Sequence, residues 1–262
     1  MYSKEHILFI KKIKKERRII KLSQILIAIF LIAIWQLLID FEIINSFLYS
    51  SPRNIIETIK NLINNNLFEH IWITFYETSV SFLLSASIGI IIASLLWINK
   101  TIYLIFEPFL TVLNSLPKVA LGPLIIIWVG ASINSIIVMA LLISLIICIL
   151  NIYNSFESTD ESYIILLKSL KASKKQIFFK VILPSNLKNI FNTLKINISM
   201  SLIGVIMGEL LVSKKGLGYL IMYGSQVFNI NRVITSIFIL AIMSYLIYLA
   251  LVIIENYINK KE

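Results

Sequence analysis

The chain alternates long apolar blocks with short polar stretches. Six of these blocks are long enough to cross the hydrocarbon core of a bilayer, which takes a helix of about 20 residues. The predicted spans are residues 19–39, 73–97, 102–129, 135–153, 190–212 and 233–255. The pattern therefore predicts an all-α, polytopic membrane protein with about six transmembrane helices.

The third block, residues 102–129, contains Pro108, Pro117, Gly122 and Pro123. Proline removes a backbone donor and clashes with the preceding turn of a helix. Such breaks occur at membrane depth only where protein or a wet cavity satisfies the backbone. We therefore expect this block to be kinked and to lie near a pathway through the membrane, with Asn114, Ser115 and Pro117 as candidate pathway residues.

Composition and charge agree with this architecture. Hydrophobic residues make up 58% of the chain and charged residues 15%, whereas soluble domains carry about 25% charged residues. The net charge of +10 could suggest nucleic acid. The basic residues instead flank the apolar blocks, as they do in cytoplasmic loops. The distribution predicts that both termini are cytoplasmic and that nucleic acid is not a partner.

The flanking segments divide the chain into three parts. Residues 1–18 read as a basic cytoplasmic segment lying on the membrane surface, residues 19–257 as the transmembrane domain, and residues 258–262 as a cytoplasmic tail. After the first span, Ser51 and Pro52 form a helix start, with a hydroxyl cap followed by proline at the first helical position. A short amphipathic helix on the outer face should follow.

Residues suited to catalysis or metal binding are scarce. The chain has one cysteine, Cys148, and two histidines, His6 and His70, far apart in sequence. These give neither a metal cluster nor a redox pair. The phosphate-binding pattern G-x-x-x-x-G-K-[ST] does not occur. The sequence therefore predicts a non-catalytic protein without a metal or cofactor, and any ATP chemistry would belong to a partner.

The polar stretch 160–190 predicts two short helices joined by a bend. Ser173 and Gln176 form a capping box that starts the second helix, and Pro184 should stop it. Apolar residues at the bend, edged by lysines, would suit docking of a soluble protein. The same pattern also fits an amphipathic loop lying on lipid, and the residues alone do not separate the two.

Residues 161–190, ESYIILLKSLKASKKQIFFKVILPSNLKNI, resemble the cytoplasmic EAA loop of permease subunits of binding-protein-dependent ABC importers. The blocks LNSLPKVALGPLIIIWVG at 113–130 and GELLVSKKGLGYLI at 208–221 resemble the nitrate/sulfonate/taurine-type branch of that family. The loop positions that carry the resemblance, or replace a family residue within it, are Leu170, Lys171, Ala172, Ser173, Ile177, Phe178, Val181, Leu183 and Pro184.

The resemblance implies a MetI-like permease architecture with a cytoplasmic two-helix coupling loop at about residues 158–186. It implies a second permease copy, with a homodimer expected, two cytoplasmic ABC ATPase subunits and an extracytoplasmic solute-binding protein. It also implies the plasma membrane of a bacterium and a small solute such as a sulfonate, taurine, nitrate or a thiamine precursor. Lys171 stands where the family has glycine, which predicts either a positive φ or a differently shaped turn. Ile165 stands where the family has glutamate.

Ionisable residues fall inside predicted spans, among them Glu77, Glu107, Glu209 and Lys195, and Lys195 can extend its ammonium group to the interface from the inner end of the fifth span. Glu77 and Glu209 each lie near the outer end of a span. Ionisable groups at membrane depth are costly and often functional, so these two could line the pathway or its gate. Structural pairing or solvation at the interface would explain them equally. An ion-coupled secondary transporter is the alternative function, although the chain shows neither an inverted repeat nor mid-membrane carboxylates.

Overall fold

The computed structural model describes residues 4–259, and within that range the regular structure is helical, without strands. Residues 1–3 of the basic segment and 260–262 of the tail lie outside the described residues. The helices are α1 Lys4–Asp40, α2 Ser46–Tyr49, α3 Pro52–Ile63, α4 Leu67–Ile98, α5 Lys100–Ser115, α6 Gly122–Val129, α7 Ile133–Glu157, α8 Glu161–Ser169, α9 Lys174–Ile177, α10 Leu183–Ser185, α11 Leu187–Val212, α12 Leu217–Gln226 and α13 Ile230–Asn259.

Five helices of the described chain are long and apolar enough to cross a membrane, and a bent pair brings the number to six. The five are α1 from Arg18 onward, α4, α7, α11 and α13. The predicted all-α polytopic fold with about six spans is confirmed. Most helices extend beyond the apolar blocks. For example, α4 begins at Leu67, six residues before the predicted start, because the polar residues there continue the helix.

The predicted boundary between the basic segment and the first span is not a break in structure. A single helix runs from Lys4 to Asp40. The basic stretch lacks glycine and proline, and lysine, arginine and glutamate favour helix. The boundary near residue 18 is therefore a change in charge within one helix. From Arg18 onward, the apolar window of this helix buries none of its residues against the rest of the chain.

The kink predicted in the third block is confirmed. α5 ends at Ser115, a 3₁₀ turn follows over Lys118–Leu121, and α6 then runs at 86° to the first part. The cause is the pair of prolines: Pro117 caps the 3₁₀ turn and Pro123 lies in the first turn of α6. The block is therefore a broken span rather than a straight one.

The helices α4, α7 and α11 form the centre of the bundle, with α12 and α13 packed beside α11. Small residues allow the central helices to approach closely. A Cβ at Gly204 of α11 would overlap the backbone of Ala140 in α7. A Cβ at Gly89 of α4 would lie 2.7 Å from the Cys148 sulfur, so Cys148 is a buried packing residue.

The segment 213–232, between the fifth and sixth predicted spans, contains the ten-residue helix α12. Its apolar side is buried against α11 and α13, with Leu217 and Leu220 in a cluster with Leu202 and Leu240. The start of α3 agrees with the sequence, since the Ser51 hydroxyl accepts a hydrogen bond from the Asn54 N–H at 3.0 Å.

Candidate functional site

The predicted two-helix loop is present as α8 and α9, joined by a tight bend at residues 170–173. Asp160 caps α8, its carboxylate accepting from the Ser162 N–H at 2.9 Å. Hydrogen bonds from Ser162 lower the pKa of Asp160 below its usual value. The capping box is confirmed: Ser173 accepts from the Gln176 N–H and Gln176 accepts from the Ser173 N–H.

At the end of α8 the chain turns at Lys171, the position at which the family that the sequence resembles has glycine. Lys171 has φ 59°, so the first of the two alternatives for this residue is correct. The Ala172 N–H donates to the Leu167 carbonyl at 3.0 Å, and the Lys171 N–H donates to the Lys168 carbonyl at 2.9 Å. This pair of bonds defines a Schellman motif, which favours glycine at its left-handed position. Lysine there costs about 1–2 kcal/mol.

Pro184 does not stop the second helix, so that prediction is wrong. α9 leads into one π-helical turn, Phe178–Ile182, and then into α10, which contains Pro184. The wider turn lets the Leu183 N–H bond to the Phe178 carbonyl, five residues back. The extra residue in this turn accommodates the proline ring, which an unbroken α-helix would not.

One side of the two-helix loop, residues 158–186, is anchored in the bundle. We call this segment the coupling loop, after the role that the resemblance implies. Ile177, Phe178 and Ile182 are at most 2% exposed. The Phe178 ring meets Phe156 of α7 edge-on at 5.4 Å and lies 5.5 Å from Trp97 at the end of α4. Burial of such aromatic side chains contributes several kcal/mol to a contact of this kind. Val181 and Leu183 are half-buried along the same segment.

The base of the loop is held by a side-chain bridge. The Asn186 amide donates to the Thr159 hydroxyl at 2.7 Å and to the Ile182 carbonyl at 2.9 Å. Asn186 itself is 3% exposed. The entry and exit of the loop are thus joined at the point where α11 begins. A force applied to the bend would therefore be passed to α7 and α11 together.

The opposite side of the loop faces away from the bundle. Leu170, at the bend, is 71% exposed, although it is among the largest apolar side chains of the segment. Lys171 and Ser173 beside it are exposed, and Ala172 is half-buried beneath them. The bend therefore presents an uncovered apolar residue flanked by positive charge, on a segment whose other side is rigidly packed.

Two of the carboxylates inside spans, those of Glu77 and Glu209, meet at the other end of the bundle. Glu77 and Glu209 are 0% and 1% exposed, and their carboxyl groups lie side by side. The Thr74 hydroxyl donates to Glu209 Oε1 at 2.6 Å, and the Gly218 N–H donates to Oε2 at 2.5 Å. Glu209 thus holds the first turn of α12 against α4 and α11. We call Thr74, Glu77, Glu209 and Gly218 the carboxyl cluster.

His70 extends this contact toward the surface. Its Nδ1 lies 2.9 Å from the Gly216 nitrogen, and its ring stacks on Tyr219 at 5.9 Å. The roles of His70 and Thr74 could not be predicted from the sequence. Their spacing of four places them on one face of α4, but their partners are far away in sequence. Gly216 has φ +108° and is the N-cap residue of α12.

The remaining candidates lie apart from the carboxyl cluster. Asn114 and Ser115 are exposed at the end of α5, and Leu116 separates them from Pro117. The Ser115 hydroxyl donates to the Thr111 carbonyl at 2.9 Å, and the Lys118 ammonium lies 3.3 Å from Asn114 Oδ1. No hydrogen bond among the described residues joins them to Glu77 or Glu209. They mark the corner of the broken span.

The polar groups of the described chain do not form a metal centre, since no three His, Cys, Asp or Glu side chains of that part come together. Lys195, expected to extend toward the interface, instead pairs with Glu255 of α13 at 2.6 Å. The two features that stand out are therefore the coupling loop at one end of the bundle and the carboxyl cluster at the other.

Comparison with known proteins identifies relatives over most of the chain. SsuC, an aliphatic sulfonates transport permease protein of Bacillus subtilis (strain 168), is 31% identical over 217 residues, 82% of this chain and 79% of that protein. ThiX, the formylaminopyrimidine transport permease protein of Halalkalibacterium halodurans, is 29% identical over 90% of this chain and 94% of that protein.

The fold also matches a solved structure. A chain of the methionine ABC transporter MetNI, in an inward-facing conformation, superposes with a TM-score of 0.65 at 22% identity. The match covers 73% of this chain and 95% of that one, and it supports the MetI-like architecture. A family model described as the binding-protein-dependent transport system inner membrane component matches residues 85–262. The chain belongs to this family, the non-catalytic, multi-pass permease subunits of ABC importers.

Proposed function

We propose that two copies of this chain form a pore through the plasma membrane of a bacterium, and that the pore imports a small solute. Two separate ABC ATPase subunits bind the coupling loops and supply the energy. An extracytoplasmic solute-binding protein delivers the solute at the opposite side, and lipid surrounds the bundle. The family match supports this class of partners, while the stoichiometry and the homodimer are part of the proposal.

The observation that carries the proposal is the two-sided character of the coupling loop. Phe178 is packed between α4 and α7, while Leu170 is uncovered at the bend. Ile165, Leu166 and Phe179 of the same loop are exposed as well, and a group of uncovered apolar residues on one segment favours contact with another protein. Because Asn186 joins the base of the loop to its entry, movement of a bound ATPase would move the spans directly.

The distribution of positive charge indicates which end of the bundle faces the cytoplasm. The coupling loop and the basic stretch of α1 carry most of the lysines and arginines outside the spans, which favours the cytoplasm for both. The chain crosses the membrane six times if the broken span counts as one crossing. An even number of crossings places both termini in the cytoplasm. The carboxyl cluster would lie toward the outer face, where it fixes the start of α12 at the gate.

The pathway is proposed to follow the corner of the broken span. Asn114, Ser115 and Pro117 lie at this corner and are exposed in the single chain. A second copy would face this surface and leave a polar lining between the two. The glutamates of the carboxyl cluster, Glu77 and Glu209, are fully enclosed within one chain. Their proposed part in the gate is thus to position α12 rather than to touch solute.

The solute class is proposed from the relatives. SsuC is a permease for aliphatic sulfonates, and ThiX is a permease for formylaminopyrimidine. A small organic anion such as a sulfonate or taurine, nitrate, or a pyrimidine thiamine precursor is therefore the proposed cargo. In systems of this kind, recognition by the binding protein sets the choice among these.

Reconstitution in liposomes tests the proposal. The chain is reconstituted with its ATPase and binding protein, and uptake of labelled taurine, an alkyl sulfonate, nitrate and formylaminopyrimidine is followed. We expect uptake of one class only, and only when ATP, the ATPase and the binding protein are all present. Uptake by the chain alone under a proton or sodium gradient would show an ion-coupled secondary transporter instead and would overturn the proposal.

A further inference from the structure

Glu77 is a buried carboxyl group without a donor. It lies on α4 at 0% exposure, and no hydrogen-bond donor of the described residues reaches either of its oxygens. The neighbouring Thr78 hydroxyl, also 0% exposed, is likewise without a partner in that part of the chain. An isolated carboxylate in such a place would carry a large desolvation penalty.

The carboxyl group of Glu77 is in contact with a second carboxyl group, that of Glu209. The two differ in their surroundings. Both oxygens of Glu209 accept hydrogen bonds, one from the Thr74 hydroxyl at 2.6 Å and one from the Gly218 N–H at 2.5 Å. The N-terminus of α12 adds a favourable dipole. Glu209 therefore has the donors that a carboxylate needs, and Glu77 has none.

Among the described residues no ammonium or guanidinium group forms an ion pair with either carboxyl group. Lys214, in the loop before α12, and Arg53 and Lys60 of α3 are exposed. Lys215 pairs with the exposed Glu69, and the guanidinium of Arg232 lies 5.0 Å above the ring of Tyr223 on α12. His70, the base on α4 closest in sequence, has its Nδ1 directed at the Gly216 backbone.

The other packed helices also bring no cation to the pair. Within α7 the one charged residue is Glu157, at the far end from the cluster. On α11 the nearest cation in sequence is Lys195, which is paired with Glu255 of α13. Tyr219 of α12 is a further titratable residue close to the carboxyl group of Glu209. Two carboxyl groups in contact, with no cation beside them, cannot both be ionised.

We infer that the carboxyl cluster is a proton-binding site, in which Glu77 holds one proton and donates it in a hydrogen bond to Glu209. This proton joins α4 to α11 and α12, because Glu209 in turn holds the first turn of α12. Removing it would place two negative charges in contact within the core. The contact is therefore expected to loosen as pH rises, while acid leaves it intact. This inference concerns the fold of one chain and is independent of the proposed solute and partners.

Infrared spectroscopy of the full chain in lipid nanodiscs tests the site directly. At neutral pH we expect a carbonyl band of a protonated carboxylic acid that disappears in Glu77→Gln. The matched control is Glu69→Gln, which removes an exposed, lysine-paired carboxylate and should leave the band unchanged. Absence of the band in the unmodified chain, or a band that persists in Glu77→Gln, would overturn the inference.

Thermal unfolding as a function of pH gives a second readout. The unmodified chain should lose stability at alkaline pH, whereas Glu77→Gln, which keeps a neutral side chain of the same shape, should lose less over the same range. Equal losses in the two chains would also overturn the inference. If Glu77→Gln fails to fold, Glu77→Asp takes its place: we expect the band to shift in frequency in that variant, and an unshifted band would overturn the inference.

Discussion

Leu170→Glu is expected to abolish co-purification of the ATPase while leaving the membrane-embedded bundle folded. Leu170 is 71% exposed, so the substitution removes little packing from the chain itself. In a desolvated contact, the new carboxylate would be an unpaired buried charge, which costs about 3–5 kcal/mol. That corresponds to a loss of affinity of roughly 100-fold or more. The measurement is the ratio of ATPase to permease recovered after affinity purification.

The matched control is Phe228→Glu. Phe228 is 74% exposed in the short segment between the end of α12 and the start of α13, and α13 starts at the end of the bundle opposite the coupling loop. It undergoes the same change from a large apolar residue to a glutamate. The ratio of ATPase to permease should remain at the unmodified value. Normal recovery of the ATPase with Leu170→Glu, or equal losses in both variants, would contradict docking at the bend.

Gly216→Ala should strongly destabilise the bundle, by about 3 kcal/mol or more. Two effects combine at this position. With φ +108° and ψ 169°, the backbone occupies a region that is almost confined to glycine, at a cost of about 1–3 kcal/mol for another residue. In addition, a Cβ would overlap the carboxyl group of Glu209. Glu209 would have to release the Gly218 N–H, leaving buried polar groups unpaired.

Gly130→Ala separates these two effects. Gly130 has a similar backbone conformation, φ 88° and ψ 160°, but a Cβ there would meet nothing within 4 Å. It should therefore show the backbone cost alone, about 1–3 kcal/mol. Thermal unfolding of the two purified variants in the same detergent measures the difference. If Gly216→Ala were no less stable than Gly130→Ala, the carboxyl cluster would not hold α12 as described.

The sequence was sufficient for features that depend on nearby residues. The long apolar blocks predicted the spans, and Ser51 with Pro52 predicted the start of α3. The capping box of Ser173 and Gln176 predicted the start of α9 to the residue. In each case the deciding interactions lie within one helix turn, so local chemistry is enough. At Lys171 the sequence left a choice between a positive φ and another turn, and the structure shows the positive φ.

Features that depend on contacts between residues far apart in the sequence could not be predicted from the sequence. The Thr74 hydroxyl and Glu209 are 135 positions apart, and α12 is stabilised by burial against helices from other parts of the chain. Pro184 was expected to end its helix, and the π-helical turn before it shows why it does not. That turn is held by the burial of Phe178 and Ile182, which only the folded bundle provides.

Cysteine cross-linking at the bend tests the central claim most directly. Cys148 is the only cysteine of the sequence and is fully buried, so Leu170→Cys introduces one reactive thiol. A thiol-to-amine cross-linker is added to inside-out membrane vesicles that contain the assembled transporter. The account predicts a cross-linked product of this chain with the ATPase subunit. Labelling of the thiol from the outside of intact cells by an impermeant reagent, with no ATPase product in the vesicles, would contradict it.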